Sequence, residues 1–286
     1  MNMPANSSSH PPFFHLGLVG YPLIHSLSPA LHHAALKEAG LQGEYRLFPV
    51  PLHDVDGLRH LLQQMRHGEI AGLNVTIPHK QNVLSLLDEL TPTAQAIGAV
   101  NTIARRGKLL IGHNTDAAGF LTDLQRVWAT PAGIALVLGA GGAARAVTFA
   151  LRQSGWHVWV AARRSEQAER LLAQLAPEGR PLPLQTLSTT DLREVRLIVN
   201  TTPLGMSPHI EQSPWPTRLP FPKQALVYDL IYNPSETQLM QTARAAGLSV
   251  RGGLGMLIAQ AALAFEMWTG FRPRQETLFE AVKAKT

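Results

Sequence analysis

The segment GLNVTIPHK, Gly72 to Lys80, puts two short polar side chains and a cation within nine residues. Side chains alternate between the two faces of a strand, so Asn74 and Thr76 share one face if the run is extended. Two hydrogen-bonding groups followed by an ammonium can line one polar pocket. A lysine just past a strand end is more often a solvated loop residue.

GAGGAA, Gly139 to Ala144, offers chemistry of another kind. It has the G-x-G-x-x-A form of a dinucleotide fingerprint. The short apolar run IALVL precedes it, and a helical pattern closed by Gly155 follows. There Gly139 permits a tight turn, Gly141 lets backbone amides approach a pyrophosphate, and Ala144 keeps the helix close to the sheet. The helix N-terminus adds partial positive charge, and Ala140, Gly142 and Ala143 complete the loop. The next run, WHVWVAA, ends in Arg163 and Arg164, with no carboxylate before Glu166 to bind a ribose 2′-hydroxyl. Guanidinium groups there suit a 2′-phosphate and hence NADP; the bland alternative is a solvated loop.

A third stretch is GYPLIHSLSPALHHAAL. Ser28-Pro29 reads as a helix start, with serine as N-cap and proline at N1. Ser26 is left over, and two hydroxyls beside a helix N-terminus make a neutral, polarised seat for a carboxylate. Gln260 lies in the otherwise apolar LGMLIAQAALAFEMW, where its amide needs a partner. A polyhydroxyl ligand or a backbone carbonyl would serve.

These residues need a scaffold. A length of 286 residues suggests about two domains, and 45% hydrophobic with 16% charged residues is ordinary for a globular chain. The net charge of +5 is dispersed, with no basic stripe and interleaved aromatics, so a small anionic ligand is expected and nucleic acid is not. Absence of cysteine excludes disulfides and thiolate metal sites. His10, His32 and His33 show no ligand spacing, so no metal is expected, and His25 and His79 read as loop residues or as supports behind the site. No Lys or Arg precedes Lys37, so residues 1–12 are expected to be a disordered leader rather than a signal peptide. The apolar segment around Gln260 is too short to span a membrane, and a soluble, cytoplasmic protein is expected.

Strand candidates FHLGLVG, EYRLFPV, IAGLNVT and AVNTIA are separated by helical stretches near 30–39, 54–67 and 80–89, with LLIG next. A helix near 117–128 leads through TPAG to the glycine-rich turn, and RLIVN and ALVYDLIY are later strands. The alternation predicts α/β architecture with mainly parallel sheets and a domain change near residue 117. Helices over about 255–286 are placed to pack back on the first domain.

In order from residue 16 onward, GYPLIHSLSP, NVTIPHK, GAVNT, GHNTD, GAGGAARA, NTTPLGM, YDLIYNP and GLGMLIAQAALAFEMWTG make the chain resemble the shikimate dehydrogenase family. That family interconverts 3-dehydroshikimate and shikimate with NADP. The resemblance implies an open α/β substrate-binding domain, residues 13–117 completed by helices 251–286, facing a Rossmann NADP-binding domain, 118–250, across a cleft. It implies that Ser26 and Ser28 bind the substrate carboxylate, and that Asn74, Thr76, Asn101, Asp116 and Gln260 hold ring hydroxyls. Lys80 and Asp116 become the catalytic pair; without the resemblance they read as a surface lysine and a cap for the helix at 117–128. Met256 and the backbone around Gly253 approach the nicotinamide, and Thr201, Ile231 and Tyr232 join the cofactor set. One departure concerns the cofactor loop, commonly Asn-Arg-Thr with a later basic residue. Here it reads Ala162-Arg163-Arg164 with Gln167, and Arg164 stands in for the missing charge. The activity implied is reversible NADPH-dependent reduction of 3-dehydroshikimate by a monomer or homodimer. An NAD-linked quinate/shikimate dehydrogenase is the alternative, and Asn74 and Thr76 favour the shikimate form.

Overall fold

The structure, a computed structural model, describes residues 12–285. The leader expected over 1–12, apart from its last residue, lies outside the described residues, as does His10. The first sheet comprises β1 (Phe14–Gly20), β2 (Gly43–Pro49), β3 (Gly72–Val75), β4 (Glu89–Leu90), β5 (Thr102–Arg106) and β6 (Leu109–His113), in the order β2-β1-β3-β5-β6-β4. With it run α1 (Ser28–Ala39), α2 (Val55–His67) and α3 (Pro92–Ile97). Helix α2 shows how the sequence sets its ends. Leu58, Leu61, Leu62 and Met65 form one buried face, Asp54 Oδ1 accepts from Gly57 N at 2.8 Å, and Gly68 closes the helix in the left-handed region.

The second sheet comprises β7 (Ile134–Leu138), β8 (His157–Ala162), β9 (Arg180–Pro183), β10 (Val195–Asn200), β11 (Leu226–Asp229) and β12 (Ser249–Arg251). Its order is β12-β11-β10-β7-β8-β9, every pair is parallel, and α5 (Gly142–Gln153), α6 (Ser165–Leu175) and α7 (Gln238–Ala245) are its crossovers. Counted from β7 this is the doubly wound 3-2-1-4-5-6 order. Ala135–Leu138 are buried without alternation, as a strand covered on both faces requires.

Between the sheets runs α4 (Asp116–Val127), and α8 (Leu254–Thr269) and α9 (Gln275–Val282) end the chain. Ile258, Ala261 and Phe265 of α8 and Leu278 of α9 share a core with Leu16 and Leu31, so the last helices fold back on the first sheet. A second core runs from Ile97 through Ala117 and Phe120 to Val137 and Val147, continuous across the join. No helix among the described residues is long and apolar enough to cross a membrane.

The sheets are mainly parallel, as expected, with β5 the exception: it is antiparallel to β3 and β6, and its link to β6 at Gly107-Lys108 is too short for a crossover. Three expectations need correction. The stretch at 80–89 is no α-helix but a 3₁₀ turn, Asn82–Leu86, then β4. Asp88 bonds Leu110 through both its backbone N–H and its carboxylate, drawing the chain to the sheet edge. The strand read in AVNTIA starts only at Thr102; before it, Val100 N donates to Lys80 O at 2.7 Å. Ser28 is not the N-cap of α1: Leu27 is, and Ser28 is already helical.

Candidate active site

Lys80 leaves β3 on a loop pinned from several sides. Thr76 N donates to Val19 O at 2.9 Å, His79 Nε2 bonds Val50 O at 2.7 Å, and Val100 holds the Lys80 carbonyl. A lysine held this way cannot wander as a surface side chain does. Its ammonium donates to Asp116 Oδ2 at 2.5 Å, and the two side chains are 15% and 6% exposed. Asp116 opens α4 without capping it; Asn114 Oδ1 accepts from Ala117 N instead, at 3.2 Å. The carboxylate is free to face the lysine.

Around the pair lies a carboxamide network. Asn101 Nδ2 donates to Asp116 Oδ1 and Thr115 Oγ1, both at 2.8 Å, and to Gln260 Oε1 at 3.3 Å. Asn101 Oδ1 accepts from Thr115 N at 2.7 Å. Gln260 also donates to Leu257 O at 2.8 Å, so the backbone-carbonyl partner is present. Asn74 Nδ2 donates to Asn101 O and Thr102 Oγ1, both at 3.2 Å. Ser26 Oγ accepts from Ser28 N at 3.3 Å, and the buried Ser28 hydroxyl sits beside the phenol of Tyr45.

The nucleotide turn stands against the same lysine. Gly139 adopts φ +110°, and a Cβ there would lie 2.6 Å from Thr201 Oγ1, whose hydroxyl donates to Leu138 O at 2.7 Å. A Cβ at Gly141 would meet nothing within 4 Å, so no neighbouring atom crowds the approach to the α5 N-terminus. A Cβ at Gly142 would lie 3.1 Å from Lys80 Cβ. One cavity of about 500 Å³ takes in Thr76, Lys80, Gly139 to Ala143, Arg163, Arg164 and Thr201. The open turn, the unpaired amides of a helix start and two exposed guanidinium groups fit a dinucleotide carrying a further phosphate. Gln185 Nε2 donates to Arg163 O at 3.1 Å and steadies that loop.

Other residues named for the cofactor sit elsewhere. Ile231, Tyr232 and Gly253 line a second cavity of about 450 Å³, where Gly253 N donates to Ile231 O at 3.0 Å. Gly253 must be glycine, since a Cβ would fall 2.0 Å from Leu230 O. Met256 is buried in the core shared with Ala117 and Phe120. Sequence reasoning missed Thr102, Thr115, Asn114 and Tyr45. Asn114 and Thr115 stand in GHNTD, where the run of capping residues was the signal; Tyr45 reads as a strand core residue and gives none.

Comparison with known proteins places these features in company. Residues 18–103 match the model of the shikimate dehydrogenase substrate binding domain, and residues 253–283 match that of the shikimate 5'-dehydrogenase C-terminal domain. The chain is 43% identical over 274 residues to the shikimate dehydrogenase (NADP(+)) of Symbiobacterium thermophilum, covering 93% of this chain and 92% of the relative. It is similar to the crystal structure of shikimate 5-dehydrogenase from Thermus thermophilus in complex with NADP(H) and shikimate: TM-score 0.86, 41% identity, 96% of this chain and 100% of the other. A shikimate dehydrogenase in complex with NADP+ matches with TM-score 0.88 at 37% identity, over 96% of each chain.

Proposed function

The chain belongs to the shikimate dehydrogenase family, and from that premise we propose how its residues divide the reaction, the reversible NADPH-dependent reduction of 3-dehydroshikimate to shikimate. Residues 13–117 with helices 251–286 form the substrate-binding domain, and 118–250 the NADP-binding Rossmann domain. Bound NADPH supplies the hydride. Lys80 donates a proton from Nζ to the C3 oxygen as negative charge develops there, the general acid step. Asp116 neutralises the buried ammonium and fixes its direction. Asn101 holds Asp116 and Gln260 in register while Asn74, Thr76, Asn101, Asp116 and Gln260 take the ring hydroxyls. Ser26 and Ser28 receive the carboxylate beside the N-terminus of α1, and Arg163 and Arg164 take the 2′-phosphate.

The observation that carries this reading is Lys80, held by the buried carboxylate of Asp116, lining the cavity of the nucleotide turn. We place the enzyme in the cytoplasm, as a monomer or homodimer. Loss of NADPH absorbance on addition of 3-dehydroshikimate tests the activity. Steady-state rates on shikimate and quinate with each cofactor test the specificity, and faster quinate oxidation with NAD⁺ would make it a quinate/shikimate enzyme instead.

A further inference from the structure

Tyr45 has no part in the reading above, yet its phenol stands beside two proposed substrate ligands, Ser28 and Asn74, and donates to Asn74. It is buried on β2, and its phenol donates to Asn74 Oδ1 at 2.8 Å. A carboxamide has two N–H donors and one oxygen with two lone pairs. Both donors of Asn74 are engaged, one by the backbone carbonyl of Asn101 and one by Thr102 Oγ1. Tyr45 takes one lone pair, and no other hydrogen bond of ordinary geometry uses the second, although the His32 ring lies close to the amide. Flipping the amide would set its oxygen against the Asn101 carbonyl, so this orientation is strongly preferred.

The phenol itself is held by its ring. Tyr45 stacks on His32, with centroids 4.3 Å apart and planes 3° from parallel, and Phe265 and Trp268 close around that imidazole. Burial pushes the Tyr45 hydroxyl well above its ordinary range, so it stays a donor.

We propose that Tyr45 is a positioning residue for substrate recognition: it orients Asn74 so that the free lone pair of Oδ1 accepts a hydrogen bond from a hydroxyl of the substrate ring. This rests on the reading of Asn74 as a substrate ligand, and the test separates the two. Steady-state kinetics would be measured for Tyr45→Phe, Asn74→Ala and the double variant. Tyr45→Phe should raise KM for shikimate about three- to tenfold, the range of one neutral hydrogen bond, with kcat within about twofold. KM for NADP should not move. The double variant should be no worse than Asn74→Ala alone, because the phenol acts through the amide.

Multiplying effects in the double variant would overturn the inference. So would an unchanged KM in Tyr45→Phe beside a raised one in Asn74→Ala, which leaves the ligand reading standing. An unchanged KM in Asn74→Ala would remove that reading and the inference with it. If Tyr45→Phe does not fold, Thr102→Val releases the other end of the amide: a rise in KM for shikimate is expected, no rise counts against the proposal, and kcat is left out of the comparison because Thr102 also bonds Asn101 and Thr115.

Discussion

Replacing Lys80 by alanine removes the proposed proton source and should lower kcat roughly 10²–10⁴-fold. The loss falls in the transition state, so KM for shikimate should change little; near-native turnover in steady-state assays would refute the assignment. That Lys80 is special was half legible: its sequence neighbours suggested a pocket, while the partner 36 residues away emerges only from the fold and from the ordered motifs. His32 was not legible at all, because burial decides its behaviour. Neither ring nitrogen makes a hydrogen bond of ordinary geometry, and burial, opposed in part by the nearby Asn74 amide, lowers its pKa from 6.5 to about 3. The unfolded chain therefore binds a proton there from pH 6.5 downward and the folded one does not, so stability is lost as pH falls, by about 1.4 kcal/mol per unit. Asp229 works the other way. Burial pushes it up to about 6 from 3.8, so its folded form keeps a proton across that window and stability falls as pH rises through it. The two nearly cancel between about pH 4 and 6. The difference between the native chain and His32→Phe isolates the histidine. From pH 6 to pH 4 the native chain should lose about 2–3 kcal/mol relative to the variant in urea unfolding, and parallel curves would exclude the assignment.

At the scale of elements, the turn between β7 and α5 was the most readable feature, because backbone conformation dictates its residues. Gly139 needs a positive φ and Gly155 ends α5 the same way, and no other residue type takes those angles as readily. Gly139→Ala should cost about 1–3 kcal/mol in backbone strain, and its Cβ would press on Thr201. Displacing the amides proposed to face the pyrophosphate should raise KM for NADPH roughly tenfold, about 1.4 kcal/mol of lost binding, with a smaller effect on shikimate. An unaltered KM for NADPH at native thermal stability would show that the turn does not hold the cofactor. The failed reading of a helix at 80–89 was settled by long-range bonds. The apolar run after Lys80 has helical composition, but Asp88 is tied to Leu110 across the sheet, and that tie outweighs local propensity.

For the whole molecule the question is what keeps two sheets in one arrangement, since the cavity needs residues from both. Helix α4 starts at Asp116, the proposed partner of Lys80 in catalysis, and two turns later presents Asp123, which is 3% exposed. Its carboxylate accepts from Tyr228 of β11 at 2.7 Å and from Arg251 of β12 at 2.6 and 3.0 Å. The same helix lies so close to α8 that a Cβ at Gly119 would come within 2.8 Å of Gln260 Cβ. One helix thus fixes Asp116, Gln260 and the second sheet relative to each other. Asp123→Ala leaves the buried Tyr228 hydroxyl unpaired and Arg251 without its carboxylate. Breaking a buried pair costs about 3–5 kcal/mol, and the partial exposure of Arg251, 33%, reduces this to about 2–3. Urea unfolding should show that loss, and kcat should fall as well, because α4 no longer holds Asp116 against Lys80 to within a fraction of an ångström. Asp123→Asn, which keeps an acceptor for Tyr228, should recover part of both. If Asp123→Ala unfolds earlier yet turns over at the native rate, the clamp serves stability alone, and the alignment of the catalytic pair must come from α4 against α8.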